Sequence, residues 1–90
     1  MIEIIKILKV KKLSGFRLHL QFSDGTEGEW DFSRVIAEGD TMVEPLKSHK
    51  YFGRVFLQLG ALTWPNGFDL DSITLHDEMI SAGALRRTAA

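Results

Sequence analysis

From Phe16 to Phe22 the chain alternates without a break, with Phe16, Leu18, Leu20 and Phe22 on one side and Arg17, His19 and Gln21 on the other. A period of two marks a strand with one face on a core. After Ser23-Asp24-Gly25 the chain turns back, and the returning residues fix the pairing. A two-residue Asp24-Gly25 loop sets Phe22 against Glu27 and Leu20 against Glu29, and so carries carboxylates onto the apolar face, because directly opposed residues share a face. A three-residue loop, with Gly25 at the positive-φ position of a G1 bulge, pairs Phe22 with Thr26, Leu20 with Gly28, Leu18 with Trp30 and Phe16 with Phe32. The same register sets Arg17 opposite Asp31, His19 opposite Glu29 and Gln21 opposite Glu27. Both faces agree on the three-residue loop.

The rest of the chain is less regular. Residues 2–10 carry Ile, Leu and Val at odd and even positions alike, the pattern of a strand covered on much of both faces. Ser33 is placed to cap a short helix through Ala37, with Gly39 as its left-handed stop. Residues 48–53 read as one helical turn ended by Gly53. A strand follows with Val55, Leu57 and Leu59 on one face, then a turn at Gly60. Residues 61–64 form the last strand, which Pro65 ends for want of an N–H, and Asn66-Gly67 turns the chain. Asp71 or Ser72 caps a helix over about residues 72–82, whose apolar side draws on Ile73, Leu75, Met79 and Ile80. The expected fold is α+β: a mainly antiparallel sheet of about five short strands, two or three short helices, and the C-terminal helix lying on the sheet. Residues 1–82 make a single globular domain and residues 83–90 a frayed tail.

Composition narrows the function. Ninety residues, 44% of them hydrophobic and 26% charged, support one modest core and argue against disorder. No apolar run approaches the ~20 residues of a membrane span, and residues 1–6 lack a signal-peptide core, so a cytoplasmic location is expected. The chain has no cysteine, which excludes disulfides, thiolate metal sites and a cysteine nucleophile. Eleven basic residues against twelve acidic leave a net charge of −1, with no general pull toward nucleic acid.

Candidate chemistry is sparse. Phosphate-loop and dinucleotide glycine motifs are missing, and no Gly-x-Ser-x-Gly elbow occurs. His19, His49 and His76 are not spaced as a helical ligand pair. Asp69 and Asp71 form an Asp-x-Asp pair without the other ligands of a calcium loop. No cofactor, metal site or catalytic residue is assigned, and the expectation is a protein that is not an enzyme. Trp64 and Phe68 offer stacking surfaces but suit core packing, and Asn66 suits its turn. Two surfaces stand out. The polar hairpin face of Arg17, His19, Glu27, Glu29 and Asp31 suits a complementary partner. Lys6, Lys9, Lys11 and Lys12, with Arg17, concentrate positive charge near the start, a footprint that nucleic acid would use.

The Ile-rich start, the Phe-Ser-Asp-Gly hairpin tip (22–25), Trp30-Asp31-Phe32-Ser33, Tyr51-Phe52 and above all Trp64-Pro65-Asn66-Gly67-Phe68-Asp69-Leu70 resemble a bacterial family, the domain of unknown function numbered 2442. The resemblance spans roughly residues 4–78. Its most specific residues are Trp64, Pro65, Asn66, Gly67 and Asp69. It implies the fold of the NE-type N-terminal domain and a small regulatory or antitoxin-like role. Members often have proline where this chain has Ser72, and tyrosine where it has His76. Some continue into a helix-turn-helix DNA-binding domain, for which the short tail here leaves no room. The function expected is therefore a non-enzymatic interaction or regulatory module that binds a small partner protein. The alternative is nucleic-acid binding through the lysine patch, and self-association is left open.

Overall fold

The computed structural model describes residues 4–88. In chain order its elements are β1 (Ile7–Lys12), β2 (Arg17–Phe22), β3 (Thr26–Asp31), α1 (Ser33–Glu38), a 3-10 turn (Glu44–Lys47), α2 (His49–Phe52), β4 (Phe56–Gln58), β5 (Ala61–Thr63), β6 (Asp69–Leu70), α3 (Ser72–Ser81) and β7 (Arg86–Arg87). The fold is α+β. Its strands form two antiparallel sheets, ordered β1-β2-β3-β7 and β4-β5-β6, rather than one sheet of about five. The two added strands, β6 and β7, are two residues long and carry no alternation, which hid them in a turn and a tail.

The β2–β3 hairpin has the three-residue loop. Arg17 faces Asp31, Leu18 faces Trp30, His19 faces Glu29, Leu20 faces Gly28 and Gln21 faces Glu27. Gly25 sits at φ +85°, and its N–H donates to the Phe22 carbonyl at 3.2 Å. Leu18, Leu20 and Phe22 on the inner face are 1% exposed or less.

The first strand departs from expectation. Its residues 2 and 3 lie outside the described residues. Ile7 pairs with Phe22 and Lys9 with Gln21, so Leu8 is an extra, unpaired residue in a β-bulge. The bulge resets the alternation: Ile7 and Val10 both point inward although they differ in parity, while Leu8 is 55% exposed. Apolar residues at odd and even positions therefore record a bulge in a one-sided strand, not a strand covered on both faces.

One core joins both sheets. Trp64, Phe22, Phe32, Phe52, Leu18, Leu20, Leu62 and Met79 fill it. Helix α3 lays Ser72, Leu75, His76 and Met79 on the core, an i, i+3, i+4, i+7 stripe. Ile73 and Ile80, expected on that side, fall outside the stripe and are 45% and 53% exposed. Asp71 caps α3 by accepting from the Thr74 N–H at 2.9 Å and the Thr74 hydroxyl at 2.8 Å.

Three further expectations are corrected. Ser33 does not cap α1; the cap position is Phe32 and makes no side-chain bond. Instead the Asp31 carboxylate accepts from the Ser33 N–H and hydroxyl at 2.8 and 2.6 Å. Gly39 is extended at φ −76°, and its value is space: a Cβ there would run into Val43. Residues 83–88 do not fray. Gly28 has no side chain, so the Ala84 carbonyl passes directly over it, and β7 then pairs with β3, Thr26 with Arg87 and Glu27 with Arg86. The Thr88 N–H donates to the Gly25 carbonyl at 2.8 Å and closes the strap.

Candidate functional site

The segment Trp64 to Asp69 is architectural. Pro65, Asn66 and Gly67 carry the chain from β5 to β6, and the Trp64 N–H donates to the Phe68 carbonyl at 2.9 Å. The Trp64 ring is 1% exposed, and its Nε1–H donates to the Phe52 carbonyl at 2.9 Å. Asn66 donates from Nδ2 to the Met42 carbonyl at 2.8 Å, while its Oδ1 accepts from the Phe68 N–H at 3.2 Å. Phe68 is half-buried with its ring centroid 5.8 Å from that of Trp64, and Asp69 pairs in register with Thr63. The side-chain hydrogen bonds of this corner are internal to the protein, and its large ring is buried rather than offered for stacking.

The outer face of the four-stranded sheet gathers the charged hairpin residues. Its side-chain contacts run diagonally: Arg17 lies 3.4 Å from Glu29, not Asp31, and His19 lies 3.4 Å from Glu27, not Glu29. The pairs skip one step because side chains on twisted strands lean toward the diagonal neighbour. Asp31 is drawn off to Ser33, and those two hydrogen bonds from Ser33 hold its carboxyl below the usual range. Arg86 brings its guanidinium to Glu27 as well, at 3.3 Å.

The lysine cluster is dispersed. Lys9 and Lys11 stand on the outer face, opposite Gln21 and His19. Lys12 points to the other side, where its Nζ donates to the Leu13 and Gly15 carbonyls at 2.6 and 2.7 Å and lies 5.4 Å from the Phe52 ring centre. Lys6 packs its stem against Gly60. A bulge and a change of face divide what is contiguous in sequence.

The edge of β1 is the most distinctive surface. This strand pairs with β2 on one side only; beyond that pairing, among the described residues, the Ile7 N–H donates to the Gly60 carbonyl at 2.8 Å. Leu8 and Leu59 flank that bond, each one residue from it. The alternation of the sequence places Leu59 on a strand face with Val55 and Leu57. It occupies the first position of a two-residue turn instead, at φ +53° followed by Gly60 at φ +81°, and is 92% exposed. Such a turn prefers Asn-Gly or Gly-Gly, and a left-handed conformation costs an L-residue about 1–2 kcal/mol. Leu59 neither packs nor suits its backbone.

Sequence reasoning missed one buried polar pair. His76 of α3 meets Asp24 of the hairpin tip, Nε2 to Oδ2 at 2.7 Å, with the His76 side chain 9% exposed. Burial pushes the Asp24 carboxyl up, but hydrogen bonds from Thr26 and His76 outweigh it and hold the group low. The two residues are 52 apart, so no local signal announces them. Every buried side-chain polar atom among the described residues has a hydrogen-bond partner, and no cluster of three potential metal ligands occurs among them. No described helix is long and apolar enough to cross a membrane.

Residues 7–81 match the model of one protein family, described as protein of unknown function (DUF2442). No curated protein and no solved structure gives a match.

Proposed function

The chain belongs to the DUF2442 family, and from that premise we propose that it is a non-enzymatic interaction module that binds a small partner protein through the edge of β1. The observation that carries this reading is Leu59, an apolar side chain 92% exposed on a backbone that disfavours it, one residue from the hydrogen bond where β1 meets the second sheet. With Leu8 it supplies an apolar anchor beside a six-residue edge strand. A partner strand added there gains main-chain hydrogen bonds, and the anchor gives it a side-chain register. Lys9 and Lys11 along the strand favour an acidic partner segment, while Arg17, His19, Glu27 and Glu29 set orientation across the face. On this reading the fold is that of the NE-type N-terminal domain, and the protein acts in the bacterial cytoplasm as an antitoxin-like regulator.

The test is affinity capture from the native cell lysate at low and high salt, with wild type, Leu59→Asn and Leu8→Lys run in parallel. A stoichiometric small protein held at high salt by wild type and lost by both variants supports the proposal. Equal capture by all three removes the β1 edge from it. Nucleic acid released by salt replaces it with the lysine-patch alternative.

A further inference from the structure

A second surface lies at the far side of the molecule, where α1 and α3 leave the inner face of β3 partly uncovered. There a groove of about 880 Å³ runs between the two helices, with half-buried Trp30 and Val35 among the residues that line it. Asp31, Glu38, Asp77 and Glu78 also line it. Arg34, the one cation among the described residues of the lining, lies 3.4 Å from Glu38. A side pocket of about 150 Å³ adjoins it, sharing Val35 and Glu78 and walled by Phe32, Leu70 and Leu75. Asp71, Thr74 and Glu78 complete its rim, so it offers an apolar floor with a polar edge to a single side chain.

We infer that this groove receives a lysine- or arginine-rich amphipathic helix of a partner protein. Its occupant is cationic because four carboxylates face one arginine already engaged, and nucleic acid is repelled for the same reason. It is helical because the groove runs between two helices, with Arg34, Val35 and Glu38 of α1 on one wall and Thr74, Asp77, Glu78 and Ser81 of α3 on the other, a setting into which the apolar face of a third helix packs. One aliphatic or aromatic residue of the helix enters the side pocket, the next apolar turn rests on Trp30, and its flanking cations meet Asp77 and Glu78. The surface is separate from the β1 edge, and the inference stands or falls independently of that reading.

The probe is a synthetic peptide of about 18 residues built from Leu and Lys at helical spacing, with a Leu/Glu peptide of identical pattern as its counterpart. Binding is followed by NMR on the isotope-labelled full chain. The expected result is shift changes centred on Trp30, Val35, Thr74 and Glu78 with the Leu/Lys peptide, and at least tenfold weaker binding of the Leu/Glu peptide. The exposed double variant Asp77→Lys, Glu78→Lys should reverse that preference while its spectrum stays folded, and Trp30→Phe should weaken binding several-fold. Four results overturn the inference: equal binding of the two peptides, an unchanged preference in the double variant, shift changes confined to the β1 edge, or a second copy of the chain filling the groove at working concentration.

Discussion

The two turns that bracket β5 differ in almost every respect. At its end, Trp64 to Gly67 is explained residue by residue: a buried ring bonded to the Phe52 carbonyl, and an asparagine bonded to Met42 and Phe68. At its start, Leu59-Gly60 connects β4 to β5 with a leucine that is exposed and left-handed. The first turn is built to stabilise the fold. The second carries a leucine that neither packs nor suits its backbone. The tryptophan segment, the densest local pattern in the chain, is scaffolding.

The comparison breaks most easily at Trp64. Trp64→Ala should destabilise the protein by about 3–5 kcal/mol, read by urea unfolding, because it empties the centre of the core and takes from the Phe52 carbonyl its shorter hydrogen bond, leaving the one from the Val55 N–H at 3.3 Å. A much smaller loss would mean that the corner is not the scaffold described here.

A third turn, the hairpin tip, sharpens the contrast because it too is tied to a distant helix. Asp24→Ala leaves His76 buried without its partner and should cost about 1–3 kcal/mol near neutral pH. The folded Asp24 carboxyl is held below its ordinary value, so its contribution is present above the unfolded carboxylate range and is lost as pH falls through the folded value. The stability gap between wild type and the variant should close on acidification. A gap that is constant with pH would assign the loss to packing.

Asn66→Ala removes bonds to Met42 and Phe68 at an exposed site and should cost roughly 1–2 kcal/mol in the same assay, with the fold retained. The smallest effect has the opposite sign. Leu59→Asn should stabilise by about 0.5–1 kcal/mol, measured as a raised unfolding midpoint, because asparagine tolerates the left-handed turn better than leucine. A destabilised Leu59→Asn would show that leucine has a role in the fold and would remove the argument for the β1 edge.

What the sequence determined by itself is what short-range patterns encode. The β2–β3 register follows from period-two alternation and a three-residue loop, and a cap at Asp71 or Ser72 from the residue types that open α3, of which the structure uses Asp71. The α+β class follows from both patterns in one short chain. Tertiary structure decided the rest. It set the bulge at Leu8, which realigns β1 on β2, and the partners of Arg17 and His19, which strand twist moved one step along. It also set the meeting of Asp24 with His76 and the docking of Arg86–Arg87 on β3, each across more than 50 residues of chain. Gly39 reads as a helix stop and Gly28 as the partner of Leu20 until Val43 and Ala84 are seen where a side chain would stand. The division has one physical cause. Backbone preferences and side-chain period act between near neighbours, whereas bulges, diagonal pairs and close approaches are fixed by which distant segments must share one core.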